Sequence, residues 1–238
     1  MNFFLLCFLT LALEQSSLST EFNDEAFKVR IVTGGYEAQA AIKNNKPIAG
    51  PKTSMIRRFM ESAGLAYSIE PMPWGRAFAL NRKNDTSLVY PLTRTKSRDA
   101  DYTWLLELER RDYHLLGHRS LLELDLPRDE IVSGKYFAVC EATASSCELL
   151  LEFGFPEQAI IRVRGKSVVG IIPIIASGRA SFMLEDSAIL SDPTFSGNYS
   201  DVVRIGNYTL VMKEYLAAYR MQAPILKRLQ DTLSSWKR

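Results

Sequence analysis

The sequence predicts an α/β protein of two lobes, each built from βαβ units and joined by a two-stranded hinge. Three observations predict it. After residue 27, β-rich segments alternate with segments of helical period. That alternation occurs twice in the same order. Two longer extended stretches, Tyr102–Arg119 and Asp201–Met212, follow the first and second sets and can serve as crossings between them.

In the first set, Lys28–Thr33 (KVRIVT) alternates as a strand should and meets Gly34-Gly35, a turn. Met55, Ile56, Phe59, Met60 and Ala63 recur at helical spacing, with Thr53 as N-cap and Gly64 as the stop. Ala66–Glu70 is the second strand. Pro73 opens a short helix to about Lys83, because proline suits a first helical turn. Thr86–Tyr90 is the third strand, ended by Pro91. In the second set, Tyr136–Cys140 is a strand, and Ser145 or Ser146 caps a helix through Phe153 with Gly154 behind it. Ile160–Val163 follows. Val168, Ile171, Ile172 and Ile175 form a helical stripe that Pro173 should kink or shorten. Ser181–Leu184 closes the set. From Pro224 to Trp236, the residues Ile225, Leu226, Leu229, Leu233 and Trp236 share one helical face. The boundaries that follow are residues 1–19 as a leader, 20–108 with 202–238 as lobe one, and 109–201 as lobe two. Sheets of this kind bind ligands outside the C-terminal ends of their strands, which here means the cleft between the lobes.

Composition narrows the function. With 29 Lys and Arg against 27 Asp and Glu, interspersed, the chain lacks the concentrated basic face of a nucleic-acid binder. Basic pairs such as Arg57-Arg58 and Arg110-Arg111 read as solvated faces. Phe3–Leu13 is an apolar run of signal-peptide length, too short to span a bilayer comfortably, although no Lys or Arg precedes it. Small residues at Ser17 and Ser19 suit cleavage after Ser19. Residues 1–19 carry one charged side chain, Glu14, so their removal takes the charge from +2 to +3. Cys7 sits near the start of the run, where a lipid acceptor would not be. Cys140 and Cys147 either pair in an oxidising compartment or remain as buried thiols.

Catalytic constellations are scarce. His114 and His118 lack metal-spaced partners and read as surface or hinge residues; no metal and no cofactor is expected. There is no nucleophile elbow, phosphate loop or dinucleotide fingerprint. The informative stretch is Pro71–Trp104, where Thr93, Arg94, Thr95 and Arg98 follow the end of the third strand. A guanidinium there can grip a carboxylate through two parallel hydrogen bonds, or can simply be solvated.

This stretch resembles bacterial extracellular solute-binding protein family 3, the amino-acid-binding components of ABC importers. The resemblance rests on Pro73-Trp74-Gly75-Arg76-Ala77, the strand Thr86–Tyr90, the Thr93-to-Arg98 loop and Tyr102-Thr103-Trp104. In the second half, Gly134–Val139 and Gly178–Phe182 are similar to family segments, with Ser181 where Asp is usual. It spans roughly residues 28–235. The resemblance implies the type II periplasmic-binding-protein fold and a monomer that holds a small polar, carboxylate-bearing ligand for import or sensing. An ABC permease or membrane sensor would be its partner, and the periplasm its location. It places Arg98 and Thr93 on the ligand's carboxylate and Asp186 on its ammonium. Thr143 and Ser145 would add hydroxyls and N–H groups at a helix start. Tyr36 stands in for the usual aromatic wall, while Trp74 either lines the cleft or belongs to the core. Asp186 could equally cap a helix over Ser187–Leu190. Departures from the family are Gly34-Gly35-Tyr36-Glu37, Gly50-Pro51 and Pro91. Two other readings stand beside binding. One is an enzyme on the same fold, similar to cyclohexadienyl dehydratase, with Glu141, Glu185 or Asp186 as its acid or base; the other is a domain that recognises only a protein.

Overall fold

The structure, a computed structural model, describes residues 28–165, 168–186, 189–190 and 199–236, without the side chains of residues 36, 39, 40, 168 and 169. The apolar leader run and its cleavage site lie outside the described residues.

Among these, strands β1 (Val29–Thr33), β2 (Tyr67–Pro71) and β3 (Ser87–Thr93) belong to the first half. The second half holds β5 (Ala138–Glu141), β6 (Ile160–Val163) and β7 (Phe182–Asp186). Two long strands, β4 (Thr103–His118) and β8 (Val202–Ala218), run between the halves. All eight form one sheet in the order β2-β1-β3-β8-β4-β7-β5-β6. Within the halves β1 pairs in parallel with β2 and β3, and β5 with β6 and β7. The parallel strands of the two halves thus belong to one mixed sheet. The cause is that β4 and β8 pair antiparallel along their lengths, from Thr103↔Ala218 to His118↔Val202.

Helices cover both faces. They are α1 (Tyr36–Asn44), α2 (Pro51–Ala63), α3 (Trp74–Asn81), α4 (Arg128–Ile131), α5 (Ser145–Phe153), α6 (Val168–Ala176) and α7 (Ala223–Ser235). Helix α2 forms where the spacing predicts it, because Ile56, Phe59, Met60 and Ala63 lie on one face and are buried. It starts earlier than expected: Gly50 is the N-cap and Pro51 the first residue. Thr53, expected as the cap, is buried three residues in. The capping oxygens come instead from Glu37, which accepts from the N–H groups of Lys52 and Thr53 at 3.4 and 3.3 Å. Gly64 ends the helix at φ 60°, a conformation glycine adopts without strain. Helix α7 lays Ile225 and Leu229 against α2, and Trp236 meets Phe59 edge to face at 5.4 Å. Each such buried side chain contributes about 1.5–3 kcal/mol.

Three elements differ from the sequence reading. The sequence reading places no element over residues 36–44, where helix α1 forms; among its described side chains only Ala38 and Ala41 are buried, and they are too small to give an amphipathic signal. Strand β3 runs through Pro91 to Thr93 rather than stopping at the proline. Helix α6 continues past Pro173 to Ala176, held by Ile171, Ile172 and Ile175 against Leu116, Val139 and Met183.

The cores show where the lobes meet. Leu105, Leu106, Leu108, Leu216 and Ala218 pack into the first half's core, whereas Tyr113, Leu115 and Ile205 pack into the second's. Both long strands therefore exchange one core for the other between Leu108 and Tyr113, and the start of β8 packs in the second half. Cys140 and Cys147 form a disulfide, Cα–Cα 5.3 Å, tying the end of β5 to α5.

Candidate functional site

A cavity of about 430 Å³ opens where the halves face each other. Its first-half wall includes Gly34, Trp74, Pro91, Thr93 and Arg98; the second half gives Glu141, Ser145, Ser146 and Glu185. The two long strands floor it with Arg111, Tyr113 and Glu214, and Lys52 comes from the first turn of α2. The strand-end rule places β1, β3, β5 and β7 with their C-terminal ends at this cavity.

Local chain geometry aims these side chains. In β4 the pairing slips between Glu107 and Glu109. A bulge of this kind re-aims the side chains beyond it. From there the strand alternates: Arg110 and Asp112 are exposed, Glu109 and Arg111 half-buried, and Tyr113 is buried. Gly34 permits the close wall on the other side, since a Cβ there would lie 2.4 Å from the Trp74 Cα.

The charges form two networks. In the first, Lys52 Nζ meets Glu109 Oε1 at 2.6 Å and Glu214 Oε2 at 3.0 Å. Arg111 Nε meets Glu109 Oε1 at 2.7 Å and Asp186 Oδ2 at 3.1 Å, with Glu214 Oε1 at 3.8 Å from Nη1. Burial opposes the Arg111 charge, but Glu214, Asp186 and Glu109 outweigh it and hold its pKa above the ordinary value. Burial also pushes the Glu214 carboxyl up, against the pull of Lys52 and Arg111. In the second network, Arg98 reaches across the cleft. Its Nε donates to Glu148 Oε1 at 2.9 Å and its Nη2 lies 2.8 Å from the same oxygen. The Thr95 and Ser97 hydroxyls donate to Glu148 Oε2. Arg98 Nη2 and Trp74 Nε1 both donate to the Thr143 carbonyl, at 3.3 and 3.2 Å.

Two carboxyls facing the cavity make no ion pair in these networks. Among the described residues no basic nitrogen lies within 4.0 Å of Glu141 or Glu185. Glu141 Oε2 accepts from the Thr143 N–H at 2.8 Å and its hydroxyl at 2.6 Å. Glu185, 7% exposed, accepts the Asp186 N–H at 3.3 Å, its one hydrogen bond among the described residues. Burial pushes its pKa up to about 7, offset in part by that N–H and by Arg111.

Of the residues singled out from sequence, Arg98, Thr93, Ser145 and Trp74 line the cavity together. Thr143 stands beside them, spanning Trp74, Arg98 and Glu141. Thr93 faces Tyr113, Oγ1 to OH 3.3 Å. Asp186 pairs with Arg111 and Arg98 with Glu148, so each of the two residues expected at the ends of a zwitterion clamp holds a protein partner. The Tyr36 side chain and residues 187–188, where the alternative reading of Asp186 starts its helix, lie outside the described residues. Sequence reasoning missed Lys52, Arg111, Glu148 and Glu214. Arg111 carried one signal, its alternation with Arg110 in an extended segment, which the basic-pair reading passed over. His114 is buried in β4 with Nδ1 3.4 Å from the Tyr208 carbonyl, and His118 contacts Ser120. The described residues hold no group of three or more metal-ligating side chains.

With this geometry in view, comparison with solved structures decides the architecture. The arginine-, lysine-, histidine-binding protein ArtJ of Geobacillus stearothermophilus superposes with TM-score 0.65 at 14% identity, over 87% of this chain and 88% of that one. The chain has the two-lobed periplasmic-binding-protein fold. A histidine kinase sensor domain with similarity to periplasmic binding proteins matches at TM-score 0.66 and 14% identity, over 89% and 91% of the two chains. The ancestral amino-acid-binding protein AncCDT-1, a precursor of cyclohexadienyl dehydratase, gives 0.61 at 15% identity, over 89% of each. At these identities the likeness concerns fold. No family model and no curated protein sequence matches the chain. Among the described residues no helix is long and apolar enough to cross a membrane.

Proposed function

We propose that this protein captures a small polar ligand in the interlobe cavity and performs no chemistry on it. The observation that carries this reading is the cavity itself. Both halves and both hinge strands contribute to it, and its volume of about 430 Å³ lies within the range of small-molecule sites. Its wall presents polar groups that converge rather than a nucleophile with its base. Bending of β4 and β8 between Leu108 and Tyr113, where they exchange cores, gives the lobes their hinge. Export by the Phe3–Leu13 leader to the periplasm, and hand-over to an ABC permease or a membrane sensor, fit the same reading. The structural neighbours include binding proteins and a kinase sensor domain. The test is thermal unfolding against a library of polar metabolites. A saturable rise in Tm is expected with at least one, because a ligand that binds only the folded state stabilises it by mass action. No rise with any member would sink the reading.

Glu185 favours one alternative, chemistry on the same fold. A buried carboxyl with pKa about 7 is poised to take or give a proton near neutral pH. One structural neighbour is a dehydratase precursor. Turnover of prephenate-like acids, lost in Glu185→Gln, would establish it.

A further inference from the structure

The donors that would receive a ligand's carboxylate are already occupied by carboxylates of the protein. Arg98 is held by Glu148, whose two oxygens take two contacts from that guanidinium and the hydroxyls of Thr95 and Ser97. Arg111 is matched by Glu109 and Asp186, and Lys52 by Glu109 and Glu214. Even the Thr143 N–H and hydroxyl serve Glu141. What remains for a ligand carboxylate is the first turn of α5 at Ser145 and Ser146, which offers about half an elementary charge. Lys43 lines the rim but is exposed.

The wall's negative side is different. Glu141 and Glu185 are 6% and 7% exposed and line the cavity; among the described residues neither has a basic nitrogen within 4.0 Å, Arg111 acting on Glu185 from farther away. They lie on neighbouring strands: β5 and β7 pair in parallel at Ala138↔Phe182, Glu141 is near the C-terminal end of β5 and Glu185 near that of β7, and both line the cavity. Buried carboxylates are ordinarily paired. Two left unpaired beside a cavity make a receptor for a cation.

We infer that the cleft binds a compact cationic amine or guanidine through Glu141 and Glu185, and that the ligand needs no carboxylate. Arg98 closes the lobes on Glu148 and does not hold the ligand. The inference rests on the binding reading above and specifies its ligand class.

The experiment is calorimetric titration of the dialysed protein with three probes: agmatine, the zwitterion glutamine and the dianion succinate. Agmatine is expected to bind most tightly, with Glu141→Gln and Glu185→Gln each weakening it at least about tenfold, the scale of one lost charge-assisted hydrogen bond. Arg98→Ala and Glu148→Gln loosen the join between the lobes and leave the ligand's charge partners in place, so in both variants agmatine is still expected to bind more tightly than glutamine or succinate. Gln at position 185 keeps the shape and removes a charge that burial already opposes, so this variant should fold; circular dichroism checks it. Glutamine or succinate binding more tightly than agmatine, and lost in Arg98→Ala, would overturn the inference and leave solute binding intact. Binding of none of the three, together with no stabilisation by any polar metabolite, would overturn both.

Discussion

Arg98 and Glu148, fifty residues apart in sequence and on opposite lobes, share a two-pronged ion pair across the mouth of the cleft. The Arg98 side chain is 5% exposed and that of Glu148 26%. Their bond therefore lies at the boundary between buried and surface pairs, where charge-assisted contacts retain part of their strength. Glu148→Gln should leave each fold intact while weakening the join. A loss of about 1–2 kcal/mol in unfolding free energy is expected, at the low end of the range for such bonds because Glu148 is partly solvated. Small-angle scattering of the ligand-free variant should give a larger radius of gyration than the parent. An unchanged radius would show that the pair does not hold the lobes.

How much of this was legible in the sequence varies with the physical range of the signal. Helices α2 and α7 carry large apolar residues at helical spacing, and their presence was read from that alone. Among its described side chains helix α1 buries only alanines, and it gave no such signal. The strands were found, but that β4 and β8 would join both halves into one sheet is a long-range pairing no local pattern states. The site divides in the same way. Arg98, Thr93, Trp74 and Ser145 follow strand ends or begin helices, which sequence can place. Arg111 and Glu214 face the cleft because β4 slips its pairing at Glu107–Glu109 and β8 lies opposite, and a bulge has no signature in this sequence. Glu148 lies within α5, where it looks like any first-turn acid, and only the folded chain brings Arg98 to it.

Gly34 tests how closely the first-half wall must pack. A Cβ at this position would lie 2.4 Å from Trp74 Cα and 2.8 Å from its backbone nitrogen. Backbone cannot yield as a side-chain tip can, so Gly34→Ala should push the start of α3 outward, at a cost of about 1–3 kcal/mol. The Trp74 Nε1 bond to the Thr143 carbonyl should break with it. Chemical denaturation measures the first effect. The second should appear as a red shift and altered quenching of tryptophan fluorescence, read as a difference from the parent because Trp104 and Trp236 also emit. Wild-type stability in this variant would mean that α3 can adjust freely.

The disulfide between Cys140 and Cys147 closes a short loop that contains Glu141, Thr143 and Ser145. Cross-linking over seven residues removes chain entropy from the unfolded state worth roughly 2–3 kcal/mol. For a chain of this length that corresponds to a fall in Tm of about 5–10 °C on reduction. Thermal unfolding with and without a phosphine reductant measures it. A Cys140→Ser/Cys147→Ser double variant should unfold like the reduced parent and be indifferent to reductant. A reduced parent as stable as the oxidised one would show that packing alone fixes this loop.

The Glu185 carboxyl gives the cleft a pH dependence whose sign follows from its surroundings. Burial raises its pKa from 4.5 to about 7; Asp186 and Glu214 add to the rise, and the Asp186 N–H and Arg111 oppose it. The folded protein thus keeps a proton that the unfolded chain releases above pH 4.5. Stability from this group is full below that pH and is lost as pH rises through 7, about 3 kcal/mol in all. Glu214 shifts in the same direction. Glu109 and Glu70 shift downward, so their contributions are complete by pH 4.5 and add no slope above it. Unfolding free energy should therefore decline between pH 5 and 8, and Glu185→Gln should flatten much of that decline. Binding runs the other way. A cation needs the ionised carboxyl, so agmatine affinity should rise about tenfold from pH 6 to pH 8, as the competent fraction grows from about a tenth to nearly all. A pH-independent affinity in a protein whose stability still shows the Glu185 slope would place the ligand's charge elsewhere in the cleft.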